Sequence, residues 1–229
     1  RLYLPGNDPK FMINAGLHHP DGVILDLEDS VAPSEKDAAR ILVRNALRAL
    51  EFHGAERMVR VNQLPLGLDD LRAIATERVG MILIPKCESV EQVRAVAQEL
   101  DRIKAAARPE DREAVDAILF MPILESALGV FRALDIALST PRIAALTIGL
   151  EDYTADLGCA RTREGRESFW ARSQVVNAAR AAGVQAIDTV FSDVGDPEGL
   201  RTSVREARSL GFEGKGCIHP RQIGPVHEE

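Results

Sequence analysis

The sequence predicts an α/β fold of the (β/α)8 TIM-barrel class, a single domain over residues 1–229. Three observations carry that expectation. Short apolar runs alternate with helix-periodic segments from one end of the chain to the other. Eight such units follow one another, the last cut short, and a right-handed β–α unit repeated eight times closes on itself. No Gly-x-Gly-x-x-Gly stands between the first strand and its helix, and the count exceeds five or six; both disfavour an open doubly wound sheet.

The elements read in order as follows. A strand over 2–4 ends at Pro5-Gly6, and a short helix covers about 9–17. The second strand is 22–27, and Ser34 is expected to cap a helix running to Leu50. The third strand is 57–62 and its helix 68–77; the fourth strand is 80–85. Ser89, with Glu91 and Gln92 close behind, caps a long helix to about Ala107. Arg108-Pro109-Glu110-Asp111 is a polar loop. Strand 117–124 precedes a helix over 129–138, and strand 143–149 precedes a mixed stretch over 153–167. Helix 168–182, strand 185–191, helix 197–210 and strand 216–218 complete the series.

Bulk properties narrow the function classes. With 45% hydrophobic residues the chain can bury a sizeable core. A net charge of −7, without any basic stripe, argues against nucleic acid as a partner. Three scattered cysteines form neither a disulfide framework nor a zinc cluster, which favours the cytoplasm. No apolar run approaches the ~18 residues of a membrane span, and no signal peptide is evident. The chain opens on Arg1 without methionine and stops at Glu229 just after an apparent helix start. Both natural ends, including a C-terminal segment, are therefore expected outside it.

Charged residues sit where the apolar runs end, and a barrel of this kind gathers those ends on one face. Glu125 and Asp152 close the fifth and sixth runs. Two carboxylates from adjacent strand ends, completed by water and a bidentate substrate, suit an octahedral Mg²⁺. Glu151 competes with Asp152, because strand alternation lets only one face the mouth. Asp26 and Glu28 form a second acidic group, and Asp26 lies inside a buried run where it needs a partner. Arg60, between Val59 and Val61, either pairs with Asp26 or grips a substrate carboxylate, and the two roles are compatible. Asn62, two residues on, would add a donor. Lys86 reads as a charge partner for the acidic rim or as a Schiff-base lysine. His219, with Lys215 and Arg221 nearby, would line a site for a polar or phosphorylated tail; otherwise it is structural. Pro5 and Gly6 close the first strand on the same rim. The substrate-binding set is thus Arg60, Asn62, Lys86, Pro5, Gly6 and His219, with Glu125 and Asp152 as metal ligands. Arg60, Asp26 and Glu28 are the expected catalytic group. No Gly-x-Ser-x-Gly elbow supports a serine hydrolase.

Eight segments in register resemble the citrate lyase beta-subunit group of the HpcH/HpaI aldolase superfamily. They include Leu2-Tyr3-Leu4-Pro5-Gly6-Asn7, Leu25-Asp26-Leu27-Glu28-Asp29, Val59-Arg60-Val61-Asn62, Pro85-Lys86, Glu125-Ser126 and Gly149-Leu150-Glu151-Asp152. Ala186-Ile187-Asp188-Thr189 and Gly216-Cys217-Ile218-His219 complete the set. The resemblance implies Mg²⁺ and C–C bond cleavage or formation next to a thioester. It assigns Asp152 rather than Glu151 to the metal, Arg60 to the keto-acid part of the substrate, and Asp26 and Glu28 to the acidic group behind the metal. Citryl-CoA or a citryl-carrier thioester would give oxaloacetate and an acetyl thioester. The alternatives are a malyl-CoA or methylmalyl-CoA lyase or a thioesterase-linked malate synthase activity, a free-pyruvate aldolase, and a non-catalytic thioester-binding subunit. Asp29 stands where a Glu-His pair would favour the pyruvate aldolase. A homo-oligomer, trimer or hexamer, with or without other lyase subunits, is the partner expectation.

Overall fold

The computed structural model describes all residues 1–229. Eight strands form: β1 (Leu2–Pro5), β2 (Gly22–Asp26), β3 (Glu56–Arg60), β4 (Met81–Ile84), β5 (Leu119–Leu124), β6 (Ala145–Ile148), β7 (Gln185–Asp188) and β8 (Gly214–Lys215). They pair in parallel, in chain order, as one eight-stranded sheet. At its ends Tyr3 N–H donates to the Cys217 carbonyl at 2.8 Å, and Cys217 N–H donates to the Arg1 carbonyl at 2.7 Å. The sheet thereby curls into a TIM-like barrel. Parallel strands covered on both faces need apolar residues at successive positions, which is why β2 and β4 are buried throughout.

Two apolar layers result. Ile24, Met58, Met81, Leu83, Met121, Ile123, Ala145 and Ile187 point inward and fill the barrel. A larger cluster, including Leu25, Val59, Ile82 and Phe120, joins the sheet to the helices outside. Those helices are α1 (Pro9–Ile13), α2 (Lys36–Ala49), α3 (Leu66–Ile74), α4 (Val90–Ala106), α5 (Arg112–Asp116), α6 (Ala127–Phe131), α7 (Ala133–Ala137), α8 (Leu150–Leu157), α9 (Arg166–Ala182), α10 (Pro197–Leu210) and α11 (Ile223–Glu228). No helix is long and apolar enough to cross a membrane. Cys87, Cys159 and Cys217 are free thiols.

Local chemistry explains where expectation and structure agree. Ser89 and Gln92 form a full capping box that starts α4. Pro197 at the first turn and Gly211 just past the end fix α10 over its expected span. Ser34, by contrast, does not cap α2. Pro33 begins a 3₁₀ turn over Pro33–Glu35 that absorbs Ser34, and α2 starts at Lys36 with no side-chain cap. The helix expected over 129–138 breaks at Arg132 into α6 and α7. The last strand begins earlier than expected. Its first half bonds β7 through Gly214 and Lys215, and its continuation meets β1 at Cys217.

Gly6 serves this framework. Its N–H donates to the Asp26 carbonyl at 2.8 Å, and a Cβ there would lie 2.4 Å from the same oxygen. That acceptor is backbone and cannot move aside. Gly6→Ala is expected to destabilise the protein by about 1–3 kcal/mol, read by urea denaturation.

Candidate active site

The register of β2 and β3 sets Asp26 directly beside Arg60. Their side chains form a two-pronged ion pair, Nε to Oδ1 at 2.6 Å and Nη2 to Oδ2 at 2.7 Å. The same carboxylate accepts the N–H groups of Glu28 at 2.9 Å and Ser30 at 3.1 Å. Burial alone would push the Asp26 carboxyl up; the Arg60 hydrogen bonds and charge outweigh it and hold it below its ordinary range. Arg60 Nη1 reaches Glu28 Oε2 at 3.1 Å and Asp29 Oδ2 at 3.4 Å. The guanidinium lies 5.7 Å from the centre of the Tyr3 ring. Asp26 therefore fixes the arginine through Nε and Nη2, and Glu28 and Asp29 flank its Nη1.

Glu125 ends β5 and is only 7% exposed. Its Oε2 accepts the Lys86 backbone N–H at 2.9 Å. Its Oε1 rests against Gly149, where a Cβ would lie 2.5 Å away. No cationic side chain pairs with it. Burial pushes its carboxyl up to about 7, against the pull of the Lys86 N–H and the Arg60 charge.

Asp152 and Glu151 are not on a strand. β6 stops at Ile148 and α8 begins at Leu150, so strand alternation does not choose between them and both line the cavity. Their partners differ. Glu151 is engaged by Arg161 and by the Ser192 hydroxyl at 2.7 Å. Asp152 faces the Lys86 ammonium at 3.4 Å.

Pro5, Asp26, Arg60, Glu125 and Asp152 thus share one cavity of about 340 Å³ at the C-terminal ends of the strands. Other expected site residues fall outside its lining. Glu28 sits behind Arg60, accepting from Gln63 Nε2 at 3.0 Å. Asn62 does not face the cavity: β3 ends at Arg60, and both the Asn62 backbone N–H and its side-chain amide donate to Asp70 at 2.8 Å. His219 caps the turn over Pro220–Gln222, its Nδ1 accepting the Arg221 N–H at 3.1 Å. Gly6 packs on the Asp26 carbonyl. Lys86 reaches the site through Glu125 and Asp152 rather than as lining.

Several residues at the site escaped the sequence reading. Tyr3 points inward from β1, between the outward-facing Leu2 and Leu4. Asp188 ends β7 in the cavity wall, paired with Arg172 and Lys215. Its signal, a carboxylate closing the run Ala186-Ile187, is the one that marked Glu125.

The donor set fits a magnesium ion. Both acids offer hard oxygen ligands to one cavity, and Glu125 is a buried carboxyl without a counter-charge. No group of three or more His, Cys, Asp or Glu is placed to hold a metal; with Glu125 and Asp152 as ligands, the remaining positions would go to water and substrate. The pH dependence follows from the raised Glu125 carboxyl. Its proton must leave before a cation binds, so Mg²⁺ affinity is expected to rise by about tenfold per pH unit below about 7 and to level off above it. Calorimetric titration across pH 5.5–8.5 reads this; a flat profile over that range contradicts it.

A parallel barrel with a buried arginine and two acids at the C-terminal mouth is the kind of protein that holds a small anion there. Comparison with known proteins narrows the class. Residues 1–220 match the family model described as HpcH/HpaI aldolase/citrate lyase. The chain is 37% identical to the citrate lyase subunit beta of Leuconostoc mesenteroides subsp. cremoris, spanning 99% of this chain and 74% of that protein. It is 32% identical to the human mitochondrial citramalyl-CoA lyase, spanning 100% of this chain and 69% of that protein. The citrate lyase beta subunit from M. tuberculosis, solved with oxaloacetate and magnesium, superposes with a TM-score of 0.80 at 33% identity, covering 99% of this chain and 94% of that one. The chain belongs to the HpcH/HpaI aldolase/citrate lyase family.

Proposed function

We propose that this protein is a Mg²⁺-dependent carbon–carbon lyase that cleaves citryl-CoA, or a citryl-carrier thioester, to oxaloacetate and an acetyl thioester. The observation that carries the reading is the shared cavity: Glu125, buried and without a counter-charge, and Asp152 open onto it beside Arg60. The relatives named citrate lyase subunit beta and the magnesium–oxaloacetate complex support it. Mg²⁺ held by Glu125 and Asp152 would supply positive charge to the oxygens of the keto-acid part.

The chain's own groups do the rest. Arg60, locked by Asp26 and flanked by Glu28 and Asp29, lines the cavity as a preorganised positive charge for the substrate carboxylate. The Tyr3 ring and the apolar floor of Met121, Ile123 and Ile187 exclude water beneath the reacting carbons. The substrate hydroxyl gives its proton to water at the open mouth of the cavity as the C–C bond breaks, the bond's electron pair passes into the thioester enolate, and a proton returned from water to the enolate carbon completes the acetyl thioester. Three free thiols suit a reducing compartment such as the cytoplasm.

A second reading, cleavage of citramalyl-CoA or malyl-CoA, is favoured by that same apolar floor, which accepts a methyl group or hydrogen in place of a carboxymethyl arm. No histidine lines the cavity, which counts against a free-pyruvate aldolase. A thioester panel with Mg²⁺ separates the readings by the keto acid released: oxaloacetate, pyruvate or glyoxylate. Release of none of the three would refute the lyase assignment.

A further inference from the structure

Lys86 touches both proposed metal ligands, each by a different part of itself. Its backbone N–H donates to Glu125 Oε2 at 2.9 Å, and its ammonium stands 3.4 Å from Asp152 Oδ2. The residue follows Pro85, just past the end of β4, and adopts a left-handed backbone, φ 45°, which a side-chain-bearing residue holds only where its surroundings impose it. Here they do. The Lys86 carbonyl accepts from Gln92 Nε2 at 3.1 Å, and Gln92 Oε1 in turn accepts the N–H groups of Glu88 and Ser89. The cap of α4 therefore pins the loop that aims Lys86 at the two acids.

The charges around the pair are unequal. The Lys86 ammonium is the one cation in ion-pair contact with Asp152, and Glu125 has none. The Lys86 and Asp152 side chains are 37% and 40% exposed, so a dissolved cation can reach the carboxylate that the ammonium occupies. Arg60 is committed to Asp26, Glu28 and Asp29, so the Lys86 ammonium is the charge in direct contact with the pair, where a divalent cation would bring two.

We propose that Lys86 is a resident counter-ion of the Glu125–Asp152 pair, one that a divalent cation must displace, so that its ammonium sets the metal affinity while its backbone N–H keeps Glu125 in place. The proposal rests on the metal reading above. It makes Lys86 a positioning residue with two separable effects. Substituting the side chain removes the competing charge and leaves the backbone donor intact. Methionine keeps the unbranched side chain, one atom shorter, and is no worse suited than lysine to the left-handed backbone.

Mn²⁺ binding to the full chain, followed by electron paramagnetic resonance at low ionic strength, tests this. Lys86→Met is expected to bind Mn²⁺ roughly three- to tenfold more tightly than the unmodified protein, with the gain shrinking as salt rises. Lys86→Arg, which keeps the charge, is expected to bind as the unmodified protein does. Lys86→Gln gives a second neutral variant, and thermal unfolding confirms that each variant is folded. If folded Lys86→Met and Lys86→Gln bind Mn²⁺ equally well or more weakly, while Asp152→Asn loses binding, the counter-ion role is overturned and the metal site stands. If Asp152→Asn and Glu125→Gln both bind as the unmodified protein does, the metal reading falls and this proposal with it.

Discussion

Replacing Asp188 with asparagine is expected to cost the fold about 3–5 kcal/mol, because it strips the counter-charge from two buried cations. Asp188 is 1% exposed at the end of β7. Its carboxylate accepts from Arg172 Nε at 3.1 Å, Arg172 Nη2 at 2.9 Å and Lys215 Nζ at 2.7 Å. Arg172 comes from α9 and Lys215 from the neighbouring strand, in direct register with Asp188. Both are buried, and neither has another acidic partner in ion-pair contact. Asparagine keeps the shape and can still accept, but leaves two positive charges unneutralised inside the barrel wall. Burial pushes the Asp188 carboxyl up, yet the Lys215 and Arg172 charges outweigh it and hold it below its ordinary value. A depressed folded-state value means that the contribution is present above about pH 4 and is lost as pH falls through the folded value. Urea denaturation at pH 7 of the unmodified and Asp188→Asn proteins reads the first effect. A difference below about 1 kcal/mol would show that the triad is not a coupled ionic unit.

Glu125→Gln is expected to lower kcat/KM for thioester cleavage by about a thousandfold or more, since it removes a charged ligand from the metal that stabilises developing charge. The same substitution should leave the metal-free protein at least as stable at pH 8. The Glu125 carboxyl titrates at about 7 in the fold, against 4.5 ordinarily. A raised value means that its contribution is full below about 4.5 and is lost as pH rises through about 7, so above neutrality the ionised side chain works against the metal-free fold. Glutamine carries no such charge. Activity falling while metal-free stability holds or rises is the signature of a residue kept for function. Loss of both together would mark Glu125 as structural.

Much of this was legible in the sequence, for physical reasons that differ by element. Buried parallel strands demand unbroken apolar runs, so the first seven were found with ends shifted by a few residues; the eighth, without such a run, was expected over 216–218 and instead forms at Gly214–Lys215. Helices with strong caps, α4 and α10, were placed closely. Short helices with no periodic stripe, α5 and α8, were not, and missing α8 is what left Glu151 and Asp152 undecided by spacing. The Asp26–Arg60 pair was readable because a charge inside an apolar run needs a buried partner, whereas Glu125, which follows such a run, has no cation in contact. Asn62 was misplaced because alternation was carried two residues past the end of β3. His219 was misplaced because capping a turn leaves no trace in composition. Asp188 carried the legible signal, but its partner Arg172 lies on a helix face, where only packing of α9 against the barrel reveals it.

The central claim is tested most directly by oxaloacetate release from citryl-CoA, with the metal supply as the variable. Release is predicted to require Mg²⁺, to stop in EDTA, to return with Mg²⁺ but not with Ca²⁺, and to be absent in Glu125→Gln. Release that persists in EDTA, or that survives unchanged in Glu125→Gln, would contradict it.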